Sequence, residues 1–241
     1  MQLTAMPGFA DPFSSLTHLL GAGVFFILGI FLIRRGAGNT ARVCSLVIFV
    51  LGSVLLLSIS GVYHLLDPGG EARQTLRILD HAAIFILIAC SFTPPHIIMF
   101  RGPQRWGVLL LVWAFAVAAI TLKCFYFREM PTAVGLGMYL GMGWIGLIGG
   151  VAMWRQRGFA FIAPIFWGGI AYSIGAIMEY MNWPTVLPGV IQPHEVFHVA
   201  VLIGLALHWS FIFTIADGRL SPGPALESAA ADTCPAPLRG R

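Results

Sequence analysis

Apolar residues dominate the chain and are interrupted only by short polar segments rich in arginine, proline and glycine. A helix needs about 20 apolar residues to cross the roughly 30 Å hydrocarbon core of a bilayer, and seven segments approach or exceed that length. They lie near residues 16–33, 43–66, 80–100, 106–122, 132–154, 159–180 and 191–215. Backbone amides in lipid must be hydrogen-bonded within their own segment, so these segments are predicted to be helices. The pattern predicts an all-α integral membrane protein, a bundle of seven transmembrane helices.

The two ends of the chain differ from the apolar segments. The first residues, MQLTAMPGFADPF, carry no Lys or Arg and lack the basic start of a secretory signal peptide, so we expect the first span to remain a helix of the protein. The residues after Ile215 are rich in Pro, Ala and Gly without apolar periodicity, which is typical of disorder. The sequence therefore predicts one membrane domain over residues 1–215 and a disordered tail over residues 216–241.

Composition agrees with a membrane protein and limits its partners. Hydrophobic residues make up 58% of the chain and charged residues 10%, which excludes an ordinary water-soluble domain. The formal net charge of +4 comes from the loops and the tail, beside the predicted spans. Basic residues in these places indicate lipid headgroups as the electrostatic partner, and we expect no binding of nucleic acid.

The basic residues are divided unevenly between the two membrane faces. With alternating topology, one face, here called the Arg-rich face, receives Arg34, Arg35, Arg42, Arg101, Arg105, Arg155, Arg157 and Arg219, and the other receives Arg73, Arg77, Lys123 and Arg128. The second face is shared with the N-terminus. Because cytoplasmic loops carry the excess of Lys and Arg, this distribution predicts an N-terminus outside the cell.

The fifth span is unusually rich in glycine. It contains Gly135, Gly137, Gly141, Gly143, Gly146, Gly149 and Gly150. Small residues let helix backbones approach closely, so we expect this span to pack tightly against its neighbours. A role of the glycines in gating is the alternative.

Four ionisable residues lie at the ends of the predicted spans, where each needs a partner or a function. His64 ends the second span, Asp80 starts the third, and His194 and His198 start the seventh. With alternating topology all four belong to one membrane face. Three imidazoles and a carboxylate can therefore meet there.

The spacing of these residues favours a metal site. His194 and His198 are four residues apart, so they share a helical face with Cβ atoms about 5–6 Å apart. That separation suits two nitrogens at about 2.0–2.1 Å from one zinc ion, with His64 as the third ligand. Three protein ligands leave one tetrahedral position for water, as in catalytic zinc sites. Asp80 can then act as general base, and Ser60, one turn before His64, can hydrogen-bond at the site or to a substrate.

Each residue also has an interpretation without a metal. A histidine near a helix end is often hydrogen-bonded to a carbonyl or a headgroup. Asp80 can cap the third helix or pair with Arg77, and Ser60 can bond back to its own helix. Glu179, which ends the sixth span on the same face, is either a partner of the site or an interfacial charge. His18, one turn into the first span, is expected to bond to a neighbouring helix and not to the metal.

The segment HEVFH, residues 194–198, matches the His-Glu-x-x-His motif of zinc peptidases. In these enzymes the glutamate is the base and a third ligand follows downstream. On a continuous helix Asp217 would lie about 28 Å from His198 and His208 about 15 Å from it, both too far to share an ion. The third ligand is therefore expected from upstream, which is not the layout of those peptidases.

Four motifs occur in order along the predicted spans. They are Thr17-His18-Leu19-Leu20-Gly21 in span one, Ser60-x-x-x-His64 at the end of span two, Asp80-His81 with Ser91-Phe92-Thr93-Pro94 in span three, and His194-x-x-x-His198 in span seven. In order and spacing they resemble the motifs of the progestin and adipoQ receptor family, specifically its bacterial hemolysin III branch. The resemblance covers nearly the whole membrane portion of the chain.

The resemblance implies a seven-helix bundle in which His64, His194 and His198 hold Zn²⁺ near one membrane face. It further implies that Asp80 lies near the bound water and Ser60 beside the site. The implied location is the bacterial plasma membrane, with several crossings of the chain. Related members look like lipid amide hydrolases of the ceramidase type, whereas the name hemolysin III refers to a pore-forming, cell-lysing activity, and other members act as receptors.

Two features depart from the family pattern. Glu195 is not part of the family's motif, although it can serve as a second acid or base. Receptor members are thought to hold the N-terminus and the zinc on the cytosolic side, whereas the distribution of arginines in this chain puts them on the outer side.

The sequence thus leads to three hypotheses of function. The first is a zinc-dependent hydrolase of lipid amides such as ceramides, in which Asp80 takes the proton of water. The second is a non-enzymatic pore-forming or receptor-like membrane protein in which zinc only links spans two and seven. The third is an intramembrane peptidase, which requires Glu195 as the base.

Overall fold

The computed structural model describes residues 9–221 of the chain, and this part is built from α-helices. The helices are α1 (Pro12–Arg35), α2 (Thr40–Leu65), α3 (Glu71–Met99), α4 (Gly102–Tyr126), α5 (Thr132–Trp144), α6 (Gly146–Arg157), α7 (Phe159–Tyr180) and α8 (Pro193–Ile215). With α5 and α6 counted as one crossing, the described residues contain seven helices long and apolar enough to span a membrane. The architecture fits the predicted bundle of seven transmembrane helices.

The third helix begins well before the apolar segment that predicted it. α3 starts at Glu71 after Gly70, which adds more than two turns ahead of Asp80. These turns contain Arg73 and Arg77, so hydropathy puts them outside the span although their backbone is helical. The prediction that Asp80 starts this helix is therefore wrong, and Asp80 lies within it.

The fifth crossing is interrupted at Ile145, where α5 ends and α6 begins. The glycines of this crossing do not all bring it close to its neighbours, because a Cβ added at Gly137, Gly141, Gly143 or Gly150 would meet no atom within 4 Å. Several glycines of this crossing line a large cavity instead. The expectation of tight packing is therefore wrong for these positions. A glycine leaves room on a helix surface, and the sequence does not tell whether a neighbouring helix or a cavity occupies that room.

Two buried apolar clusters hold the bundle together. The larger lies mainly between α1, α2, α3 and α8, and the smaller lies between α3, α4 and α5. Side chains that are almost completely buried include Leu32, Leu46, Phe49, Leu57, Leu205, Phe211 and Ile215 in the larger cluster and Phe85, Val112 and Met142 in the smaller. Lipid tails are as apolar as these side chains, so close packing stabilises the contacts more than removal of apolar surface from water does.

The residues just after α8 fold back onto the bundle at the Arg-rich face. Arg35 forms an ion pair with Asp217, with 3.1 Å between the charged atoms. The Ser221 hydroxyl donates to the Ile98 carbonyl at 2.9 Å. The rest of the predicted disordered tail, residues 222–241, lies outside the described residues.

The contact between α1 and α2 at Gly29 predicts a steric effect. A Cβ at Gly29 would collide with both methyl groups of Val50, whose side chain is stiff at χ1. Gly29→Ala should lower the free energy of unfolding by about 1–3 kcal/mol, and Val50→Ala in the same chain should restore part of it. Thermal unfolding in detergent measures both changes. Gly23→Ala is the control on the same helix, since its added carbon meets no atom within 4 Å; equal stability of the two alanine variants would contradict this packing.

Candidate metal centre

Three histidines from two helices converge at one end of the bundle. The Nε2 atoms of His64 and His194 are 3.1 Å apart, and those of His194 and His198 are 3.0 Å apart. His64 lies in the last turn of α2, and the other two lie in the first two turns of α8. The structure thus brings together the three residues predicted to bind a metal, each with one ligand atom within 4.8 Å of the others.

The hydrogen bonds around this histidine cluster favour a cation at its centre. His64 Nδ1 lies 2.8 Å from a carboxylate oxygen of Asp11, and His194 Nδ1 lies 2.8 Å from one of Glu179. A carboxylate accepts a hydrogen bond, so each Nδ1 carries the proton and each Nε2 presents a lone pair to the cluster. Two nitrogens bound tetrahedrally to one ion at about 2.0–2.1 Å are about 3.3 Å apart, close to the observed separations. The three histidines therefore fit a metal ion.

Asp11 links His64 to the start of α3. Its carboxylate accepts from Nη2 of Arg73 at 2.5 Å, and its backbone N–H donates to the His64 carbonyl at 2.9 Å. Arg73 also donates to the Leu66 carbonyl and lies over the ring of Tyr63. Burial would raise the pKa of Asp11, but hydrogen bonds from His64 and Arg73 and the charge of Arg73 outweigh it, so the pKa lies below its ordinary value. Asp11 is thus a carboxylate that fixes the orientation of the His64 ring.

His198 is held by ring stacking instead of a carboxylate. The rings of His18 and His198 are stacked, with centroids 4.0 Å apart and planes inclined by 23°. Both side chains are almost completely buried, and Nδ1 of His198 has no hydrogen-bond partner among the described residues. His18 contacts a neighbouring helix through the face of its ring, and neither of its ring nitrogens has a hydrogen-bond partner among the described residues, so the expected bond is replaced by stacking.

Asp80 and Ser60 lie next to the histidine cluster, at one end of a large cavity. Both residues are buried and line the same cavity as His194. The two alternative interpretations of Asp80 do not hold. α3 begins at Glu71 and is not capped by Asp80, and no ion pair joins Asp80 to Arg77 in the part of the chain that the structure describes.

Glu195 has a structural role that the peptidase motif does not predict. One carboxylate oxygen accepts a hydrogen bond from the Ser14 hydroxyl and the other accepts from the backbone N–H of Gln192, both at 3.0 Å. The first bond ties α8 to α1, and the second belongs to a capping box at the start of α8. Because both oxygens are engaged and the side chain is only 1% exposed, Glu195 is not positioned as the base of a peptidase.

A cavity of about 970 Å³ extends from the histidine cluster through the bundle. Asp80 and His194 line it near the cluster, whereas His96 and Phe159 line it toward the Arg-rich face. Asp80 and His96 are about 16 residues apart on α3, so the cavity runs for about 24 Å along the bundle. Most of its wall is apolar and comes from α3, α5, α6, α7 and α8.

Two carboxylates at the site were not assigned from the sequence. Asp11 lies one residue before α1, in a segment for which no role is predicted from the sequence. Glu179 lies near the end of α7. Its hydrogen bond to His194 makes it a partner of the site and not only an interfacial charge. The alternating direction of the helices could have predicted that both carboxylates lie near the histidines. It puts the start of α1, the end of α2 and the end of the sixth span at the same membrane face.

The chain is similar to known membrane proteins over most of its length. It matches the family model described as Haemolysin-III related over residues 9–209. It is 31% identical over 199 residues to Hemolysin-3 of Bacillus cereus, an alignment that covers 80% of this chain and 86% of that protein. The Hemolysin-3 homolog of Bacillus subtilis (strain 168) is 29% identical over 195 residues, 80% of this chain and 88% of that protein. Heptahelical transmembrane protein 1 of Arabidopsis thaliana is 25% identical over 230 residues, 84% of this chain and 68% of that protein.

Loss of one ligand should release a bound metal. We expect purified full-length protein to carry about one metal ion per chain and His64→Ala to lose most of it, because two nitrogens hold an ion weakly. Inductively coupled plasma mass spectrometry measures the content. His81→Ala is the control, since His81 Nδ1 lies 2.8 Å from the Arg77 carbonyl on its own helix. Equal metal content in the two variants would refute the site.

Removal of Asp11 should weaken metal binding without removing a ligand. Loss of the carboxylate that holds a metal-binding histidine typically lowers affinity by about 10–100-fold, and we expect a change of this size in Asp11→Ala. Competition with a chelator measures the affinity. Asp67→Ala, which removes only a hydrogen bond to the Gly69 backbone, should match the wild type. An unchanged affinity in Asp11→Ala would show that His64 is oriented by other contacts.

Proposed function

We propose that this chain, which belongs to the Haemolysin-III related family as the motifs in its sequence predicted, is a zinc-dependent hydrolase of lipid amides. Its seven apolar helices and its Hemolysin-3 relatives make it an integral, multi-pass membrane protein. Those relatives come from Bacillus species, which supports a location in the bacterial plasma membrane.

One arrangement carries the proposal: three convergent imidazole nitrogens lie beside a buried carboxylate at the end of an apolar cavity. The nitrogens belong to the histidine cluster, and the carboxylate is that of Asp80, which is 8% exposed. Catalytic zinc sites use three protein ligands and leave one position open, whereas structural sites are closed by a fourth. The described residues offer three histidines and no fourth member of this group.

The donor set suits zinc. Neutral imidazoles bind Zn²⁺ well, and in zinc sites the other ring nitrogen is commonly held by a carboxylate, as Asp11 and Glu179 hold His64 and His194 here. Imidazole also suits copper, iron and nickel, so the identity of the metal belongs to the proposal. When bound, zinc supplies a Lewis acid that polarises a carbonyl and makes water more acidic.

Asp80 moves the proton in the proposed hydrolysis. Its carboxylate accepts a proton from water while the water oxygen forms a bond to the amide carbon. It then donates that proton to the nitrogen as the carbon–nitrogen bond breaks, so the products are a fatty acid and an amine. The Ser60 hydroxyl, which lines the same cavity, is proposed to hydrogen-bond to the Asp80 carboxylate or to the substrate.

The cavity favours a lipid substrate. Its apolar wall can enclose an acyl chain, and its polar end can hold the amide to which that chain is attached. Ceramides and other N-acyl lipids combine these two parts. Membrane lipids are therefore the proposed partners, and they reach the cavity from the bilayer that surrounds it.

A second function is favoured by the helices on which the ligands lie. His64 is on α2 and the other two histidines are on α8, and α1 and α3 each pack against both of these helices. A metal between α2 and α8 would link them directly, as in a non-enzymatic pore-forming or receptor-like protein with structural zinc. The name Hemolysin-3, carried by two relatives, favours the pore-forming form of this alternative.

Asp80→Asn should separate catalysis from metal binding. General acid–base catalysis contributes about 10²–10⁴-fold, so we expect kcat for acyl amides to fall by that factor with metal content unchanged. A panel of ceramides and other acyl amides in detergent micelles measures the rate. Asp67→Asn, in an exposed turn outside the cavity, is the control and should keep full activity. Purified wild-type protein that binds zinc and cleaves no member of the panel would refute the hydrolase.

The other two hypotheses make different predictions for the same assays. If zinc is structural, Asp80→Asn leaves the biological activity intact, and His194→Ala lowers the melting temperature to that of the metal-free wild type. If the protein is an intramembrane peptidase, Glu195→Gln abolishes proteolysis. For the proposed hydrolase, Glu195→Gln keeps amide cleavage, because Glu195 caps α8 and ties it to α1.

A further inference from the structure

A second cavity lies at the opposite membrane end from the histidine cluster. It has a volume of about 220 Å³ and lies between the start of α2, the end of α3, the start of α4 and the residues after α8. Three arginines line it, Arg42, Arg101 and Arg105. These belong to the Arg-rich face, which the distribution of basic residues predicts to be cytoplasmic.

The structure holds two of these arginines side by side. Nε of Arg105 donates to the Phe100 carbonyl at 2.8 Å, and Nη1 of Arg101 donates to the same oxygen at 3.4 Å. Nη2 of Arg101 also donates to the Ser221 hydroxyl at 2.9 Å. Two guanidinium groups that share one acceptor are close enough to repel each other.

Arg42 is fixed on the other side of this cavity. Its Nε donates to the Gly36 carbonyl at 2.9 Å and its Nη2 to the Ala37 carbonyl at 2.8 Å. The guanidinium lies directly against Gly218, where a Cβ would collide with it and where φ is +75°. Glycine at this position therefore keeps room for the arginine.

The charge of the three arginines is not balanced by carboxylates in the described chain. None of them forms an ion pair within residues 9–221, and the nearby Asp217 is paired with Arg35 and Arg219. α4 begins at this cavity without a side-chain cap, so its first amides add further positive potential. Confined positive charges without a counter-ion repel one another, so this cavity favours an anion.

We propose that the second cavity binds a phosphate group, and that an anionic phospholipid headgroup supplies it. The planar guanidinium offers paired N–H donors that match phosphate oxygens. Trp106, beside Arg105 at the start of α4, is 60% exposed, as aromatic residues at the headgroup level are. Basic pockets between transmembrane helices at the cytoplasmic side are suited to lipid phosphates.

The test compares two double variants of the full-length protein that lose the same charge from the same membrane face. Arg101→Gln/Arg105→Gln removes two arginines of the cavity. The matched control is Arg34→Gln/Arg155→Gln, whose side chains are exposed and form no hydrogen bond or ion pair within the described residues. Native mass spectrometry of protein titrated with phosphatidylglycerol or phosphatidylcholine of the same chain length measures the lipid bound.

Wild type and control should bind phosphatidylglycerol more tightly than phosphatidylcholine. Two basic residues near an anionic headgroup contribute about thirty-fold in affinity, so the cavity variant should lose that preference. Equal retention of phosphatidylglycerol in the two double variants would overturn the proposal, as would equal binding of both lipids by the wild type. If the cavity variant does not fold, the single variant Arg101→Gln replaces it, and Arg34→Gln replaces the double control.

A parallel titration with inorganic phosphate identifies the source of the group. If the lipid is the source, inorganic phosphate at millimolar concentration displaces little phosphatidylglycerol from the wild type. If phosphate raises the melting temperature of wild type and control but not of the cavity variant, and the two lipids bind equally, the phosphate site stands and the lipid source is wrong. Metal content, which belongs to the other membrane end, should be the same in every variant of this series.

Discussion

Three imidazoles face one another inside this bundle, and a positive charge between them would hold them together. Neutral rings held in this way repel, and water is too scarce within a bundle to relieve the repulsion cheaply. The surrounding groups nevertheless keep His64, His194 and His198 in place, through two carboxylates, a stacked ring and a capped helix start. A metal ion at the centre, as proposed above, would make this juxtaposition favourable.

The helices and the histidine cluster could be predicted from the sequence because both follow from long-range regularities. Apolar length defines a membrane crossing, and alternation of direction brings the end of α2 and the start of α8 to one level. Asp11 could not be assigned in this way, since its bond to His64 depends on the angle at which the chain enters α1. The start of α3 was missed because its first turns are helical but polar, and hydropathy detects only apolar segments.

Short motifs were less informative than topology in this chain. The letters of HEVFH match those of a peptidase, yet the structure engages both oxygens of Glu195 in bonds to Ser14 and Gln192. The glycines of the fifth crossing match a packing motif, yet four of them have open space beyond the backbone. In each case the residue type permits two uses, and only the three-dimensional neighbours decide between them.

Arg73 shows that the polar beginning of α3 is part of the site and not a connecting segment. It holds the carboxylate that orients His64, although it precedes the apolar stretch of its own helix. The change in hydropathy just before Asp80 offers one junction for chimeras between relatives, and the loop before Glu71 offers another. A junction at the first position leaves Asp11 and Arg73 in the same parent, whereas a junction before Glu71 takes them from different parents, so domain exchanges in this chain need their junctions after Arg73.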